Sequence, residues 1–132
     1  MEQVQLSIGV TPVSLDFEDF YRAEFPRVYR ASWLFARDVD DALDATQEAF
    51  GRAYSRWTRL QKEEWVAGWV ISTAVNVLKR PRRRAPQDHV DPPGVEASTS
   101  EIIDLRRALR YLPQRQRQAV VLFYVGDLSI YE

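Results

Sequence analysis

At 132 residues the chain has the length of one domain or two small helical ones, and 45% apolar with 28% charged residues is the make-up of an ordinary folding protein. It contains no cysteine, which excludes disulfide frameworks, thiolate zinc sites and Cys nucleophiles. The net charge of −1 argues against a nucleic-acid binder until its distribution is followed: residues 1–50 hold 4 Lys/Arg against 10 Asp/Glu, residues 51–86 hold 9 against 2, and residues 87–132 hold 5 against 7.

Residues 1–15 show no helical period and read as a tail, and because the first basic residue is Arg22 there is no charged start of a secretory signal. From Asp16 onward Phe17, Phe20, Tyr21, Val28, Ala31, Leu34 and Phe35 recur at helical spacings. Pro26 is expected to kink or split this run, since proline removes a backbone donor. Asp38 is a good N-cap for a second helix, with Asp40 and Asp41 in the first turn where the helix dipole favours carboxylates. Its apolar positions are Val39, Ala42, Leu43, Thr46, Ala49, Phe50, Ala53, Tyr54 and Trp57. The opposite face carries Asp40, Asp44, Gln47, Glu48, Gly51 and Ser55.

A third helix is predicted over 63–80, with Trp65, Val66, Trp69, Val70, Thr73, Ala74, Val77 and Leu78 as its apolar stripe and Pro81 as its stop. Lys79, Arg80, Arg82, Arg83 and Arg84 then fall on the last turn and just beyond, where cations also complement the helix carbonyl end. Residues 85–99 hold three prolines, one glycine and the lone His89, a linker composition that sets a domain boundary. Ser100 can cap a helix with the stripe Ile102, Leu105, Leu109 and Leu112, and after Pro113 another helix runs from Gln114 to about Val125, with Gly126 as its stop. In GDLSIYE, Ser129 and Glu132 have the spacing of a capping box that opens a helix. No strand-like alternation persists and no apolar run approaches the roughly 20 residues of a membrane span. The expected fold class is all-α in two helical pieces, a soluble chain of the cytoplasm without membrane insertion.

Acid and base sorted into blocks suggest two different partners. Asp44, Gln47 and Glu48, with Arg52 one turn further on, share one side of the second helix, opposite its aromatic stripe. Read alone, this is the solvated face that surface helices carry by default. Trp57, Trp65 and Trp69, followed by five cations, describe a single-strand binder as well as a core: aromatic faces stack bases while cations track phosphates. Asn76 lies away from the stripe, and its amide offers both a donor and an acceptor to a base edge. A hydrolase using Glu63, Glu64 and His89 is remote, because a helix start and a linker form no preorganised pocket.

Four motifs taken in order, FYRAEFPRVYRAS, DVDDALDATQEAFGRAYSRW, WVAGWVISTAVNVLKR and LRYLPQRQRQAVVLFYVGDLS, resemble an extracytoplasmic-function (ECF) sigma factor, the small type of bacterial RNA polymerase specificity subunit. The resemblance runs from about Asp16 to Glu132 with only the linker unmatched. It implies a helical sigma region 2 domain over 16–84, a flexible linker over 85–99 and a sigma region 4 domain over 100–132. That second domain is expected to be partial, two helices without the helix-turn-helix that reads the −35 element. The resemblance implies no catalysis, no metal and no cofactor. Asp44, Gln47, Glu48 and Arg52 would dock on the coiled-coil clamp helices of the largest polymerase subunit. Asn76, with Lys79, Arg80, Arg82, Arg83 and Arg84 on phosphates, would hold the melted promoter −10 strand. An anti-sigma factor is a further partner of this type of protein. The other expectation from the partial second domain is a sigma-like interaction module that binds polymerase or an anti-sigma factor without starting transcription.

Overall fold

The computed structural model describes residues 13–80 and 100–125. Helices account for almost all of them, and no strand occurs among the described residues. Helix α1 spans Val13–Phe35, starting three residues before the predicted position and passing through Pro26 without a break. The expected split does not occur because Pro26 and Arg22 are both exposed, so water can satisfy the carbonyl that the proline leaves without a donor.

Helix α2 spans Val39–Ser55 and starts as its sequence requires: Asp38 is the N-cap, and its Oδ1 accepts from the Asp41 N–H at 2.8 Å. Its inner face is small, with Ala42, Ala45, Thr46, Ala49 and Ala53 all buried. That lets α2 approach α1 closely. Ser32 Oγ donates to the Val28 carbonyl at 3.0 Å and accepts from Thr46 Oγ1 at 3.0 Å, so both hydroxyls are satisfied inside the seam. Trp57 does not extend α2. Arg56 leaves helical geometry at φ −116° and ψ 14°, and Trp57 begins a separate four-residue helix, α3, Trp57–Leu60.

Helix α4 spans Val66–Leu78, shorter at both ends than the predicted 63–80. Its buried face is Gly68, Val70, Ile71, Ala74 and Val75, a rotation away from the predicted stripe. Trp65 precedes the helix and is 51% exposed. Together α1, α2 and α4 pack pairwise around Val28, Tyr29, Trp33, Leu34, Phe50, Val70 and Ile71. The amino-terminal half of α1 covers Phe50 with aromatic rings, among them Tyr21 at 4.8 Å edge-on and Phe20 at 5.9 Å.

Helix α5 spans Ser100–Leu109, with Ser100 inside its first turn. Helix α6 spans Gln114–Val120 and runs into a π-helical turn, Val121–Val125. These elements pack on α1, and Leu109 and Val121 join the same core. The predicted stripe fails at Leu105, which is 40% exposed, while Arg106 is only 6% exposed. Its Nε donates to the Trp33 carbonyl at 2.8 Å and its Nη2 to the Ala36 carbonyl at 3.0 Å, while the guanidinium lies 4.7 Å from the Trp33 ring centre. Arg106 thus serves the carbonyls that α1 leaves open at its end. Burial and then the like charge of Arg110 bring its pKa down to about 10, against opposing pulls from Asp38 and Tyr29, so it remains a cation at neutral pH. Arg110 Nη2 adds a bond to the Arg37 carbonyl at 2.6 Å, and Arg27 Nε donates to the Val125 carbonyl at 3.2 Å. The tail, the 85–99 linker, Gly126 and the GDLSIYE segment lie outside the described residues, apart from the tail's last three positions, which open α1.

Candidate functional site

The outer face of α2 follows from its amphipathic spacing: once alanines and Phe50 face inward, Asp44, Gln47, Gly51 and Arg52 are exposed and Glu48 is half-buried. Tyr21 Oη, from α1, donates to Gln47 Oε1 at 3.3 Å. Glu48 is the hub. It pairs with Arg52 one turn along α2, and the same carboxylate oxygen accepts from Arg80 Nη2 at 2.7 Å, across 32 residues of sequence. Burial pushes the Glu48 carboxyl up, but the hydrogen bonds and charges of Arg80 and Arg52 outweigh it and hold the group below its usual range.

The second candidate set lies at the carboxyl end of α4. Asn76 is exposed on the last turns, Lys79 is the C-cap, and Arg80 follows it. The cations therefore stand after the helix and not within its last turn, where none occurs. Arg82, Arg83 and Arg84 lie outside the described residues, as does His89. Of the three tryptophans read as core or base platform, Trp57 is buried, Trp69 is half-buried, and Trp65 presents its ring to solvent. Arg56 stands 6.0 Å from the Trp69 ring centre, a cation–aromatic contact that the linear sequence does not announce. Glu63 and Glu64 sit in the turn before α4. Among the described residues no group of His, Asp and Glu side chains could hold a metal ion, and no helix is long and apolar enough to cross a membrane.

The structure brings the two predicted sets together through Glu48 and Arg80. An acidic and amide face on α2 suits a basic or polar helical partner, while the cations after α4 suit phosphates. Sequence reasoning missed the pairing itself and the buried Arg106. No local spacing reports either one, since both depend on elements distant in the chain.

Comparison with known proteins gives the same direction. The family model described as Sigma-70 region 2 matches residues 20–86. RNA polymerase sigma factor SigV of Bacillus subtilis is 26% identical over 139 residues, an alignment covering 99% of this chain and 78% of that protein. ECF RNA polymerase sigma factor SigM of Mycobacterium tuberculosis is 32% identical over 121 residues, covering 86% of this chain and 62% of that protein. ECF RNA polymerase sigma factor SigW of Bacillus subtilis is 25% identical over 150 residues, covering 97% of this chain and 79% of that protein. No solved structure matches the chain. The matched half of the molecule carries both candidate faces and most of the core, and the chain belongs to the sigma-70 region 2 family as an ECF-type sigma factor.

Proposed function

We propose that the chain docks on the clamp helices of core RNA polymerase through Asp44, Gln47, Glu48 and Arg52, and that Asn76, Lys79 and Arg80, with Arg82, Arg83 and Arg84, hold the opened strand of the promoter −10 element. As a sigma factor it is a non-catalytic specificity subunit, so bond chemistry belongs to the polymerase. The observation that carries the reading is the Glu48–Arg80 contact, which joins the α2 face to the first cations after α4. A factor that must present a strand to a polymerase needs both surfaces on one rigid unit, and α1, α2 and α4 share one core. Domain limits of 16–84 for region 2, with residues 100–132 belonging to region 4 and an anti-sigma factor as regulator, belong to the same proposal.

The test is capture of core polymerase by wild type and by the double variant Asp44→Arg, Glu48→Arg. Binding should fall by more than tenfold, on the order of the several kcal/mol that reversed charges cost at an interface. Undiminished capture removes the docking assignment.

The packing of α5 and the Val121–Val125 turn on α1, which brings Arg117 of α6 beside Lys79 and Arg80, favours a second reading as an interaction module that occupies its partner without starting transcription. Run-off transcription from a −35-dependent promoter separates the two, because robust activity eliminates the module.

A further inference from the structure

Between the carboxyl end of α4 and the start of α6 lies a cleft of about 280 Å³ whose floor includes Phe35. Its walls bring together Arg37, Lys79, Arg80 and Arg117, and among the described residues Asp41 is the acidic one. Arg80 is paired with Glu48, and Arg37 and Lys79 are exposed, so water screens their repulsion, while Arg117 is the half-buried member of the set. Arg37 and Lys79 have no ion-pair partner among the described residues. Arg117 lies 4.9 Å from the Phe35 ring centre and donates through Nη1 to the Leu112 carbonyl at 3.2 Å. Its Nε is buried and meets no acceptor among the described residues. Burial, and then the neighbouring charge of Arg37, lowers its affinity for its proton. A guanidinium with an unpartnered N–H beside a second cation has donor capacity and charge left over for an anion.

We propose that this cleft binds a phosphate group, clasped by Arg37, Lys79, Arg80 and Arg117, and that its occupancy holds residues 100–125 against α1. Phosphate is favoured over carboxylate because several cations can share its two charges and its larger set of oxygens. The cleft lies just below the roughly 300–1,000 Å³ of pockets that engulf whole small molecules, so it takes one phosphate or pyrophosphate and leaves any attached group outside. Arg117 belongs to α6 and Arg37 to the loop after α1, so the full set exists only while these segments are packed together. A ligand that binds only this arrangement stabilises it by mass action. The functional consequence rests on the strand-binding reading of Lys79 and Arg80: a free phosphate compound in the cleft would withhold both cations from the promoter strand.

Calorimetric titration of the full chain with pyrophosphate tests the site without polymerase. Saturable one-to-one binding is expected, weakened about tenfold or more by Arg37→Gln and by Arg117→Gln, since each removes a charge-assisted bond. Absence of saturable binding, or binding unchanged in Arg37→Gln, overturns the site. Arg37 is exposed, so that variant decides the matter even if Arg117→Gln loosens the fold. Pyrophosphate should also slow amide exchange across 100–125, and unchanged exchange overturns the coupling. A parallel titration with a single-stranded oligonucleotide identifies the source: weakening of pyrophosphate alone in Arg37→Gln assigns a free compound, while equal weakening of both assigns a strand phosphate. Failure of the chain to capture polymerase would remove the proposed docking function and leave these binding results standing.

Discussion

Arg80 donates to Glu48 at 2.7 Å, so a cation following α4 is held by a carboxylate on the outer face of α2. Both side chains are more than one-third exposed, which limits what the contact adds to stability. A double-mutant cycle with Glu48→Gln and Arg80→Gln should give a coupling of about 0.2–1 kcal/mol at low salt, shrinking as salt is added. Chemical denaturation of the four proteins measures it.

The same carboxylate sets a pH dependence. Its folded pKa lies below the ordinary value of 4.5, so the unfolded chain binds its proton more readily. The stabilisation is fully present above that value and is lost as pH falls through the folded pKa. Glu48→Gln should therefore flatten the acid limb of a stability–pH curve and leave the neutral region nearly unchanged in slope. An identical acid limb in the variant would show that Glu48 is not held down in the folded chain.

Gly51 offers a way to separate fold from docking. It lies within α2 on the outer face, and a methyl group there would meet nothing within 4 Å. Gly51→Ala should stabilise the chain by about 0.5–1 kcal/mol, through helix propensity alone. A clamp helix lying closely on this face would meet the added methyl, so polymerase affinity should fall while the melting temperature rises. A rise in both would place the docking surface elsewhere.

Arg106 is the anchor of residues 100–125. Arg106→Leu removes charge-assisted bonds to the Trp33 and Ala36 carbonyls and leaves Ala36 with only the longer bond from Arg110 at 3.4 Å. A loss of about 2–4 kcal/mol is expected, from roughly 1.5–3 kcal/mol for each hydrogen bond to a charged group less the gain from removing a buried charge. Hydrogen exchange should accelerate across 100–125 and much less across α2 and α4. Uniform acceleration would instead mean that the whole chain unfolds as one unit.

Tyr29 is fully buried, and its hydroxyl has no hydrogen-bond partner among the described residues. Burial, then the nearby Asp40, pushes its pKa up, against a smaller opposing pull from Arg106. Tyr29→Phe should be neutral or stabilising by up to about 1 kcal/mol, since an unpaired buried hydroxyl carries a desolvation cost without return. Denaturant midpoints report the sign directly.

Much of the fold was legible because it is local. The period of α2 and its Asp38 cap needed only neighbouring residues, and both are where the spacing predicts. Pro26 misled because its effect depends on which side of α1 faces water. Trp65 and Arg106 misled in opposite directions, since an apolar side chain stands exposed and a charged one lies buried. In each case the deciding partner lies outside the helical turn: Trp65 precedes α4, while Arg106 meets carbonyls about seventy residues earlier. The candidate residues of α2 and α4 could be named one by one from their spacing. That Glu48 would join them required the packing of α2 on α4.

Arg106 and Arg110 recognise main-chain oxygens of Trp33, Ala36 and Arg37, so the side chains at positions 36 and 37 contribute nothing to those bonds. Substitution there cannot erase the landing point, whereas an insertion that shifts the chain path can. The end of α1 is therefore open to molecular mimicry. A rival guanidinium fork arriving there beside the Trp33 ring would compete for these oxygens alone, and Leu109 and Val121 would still hold residues 100–125 in the core.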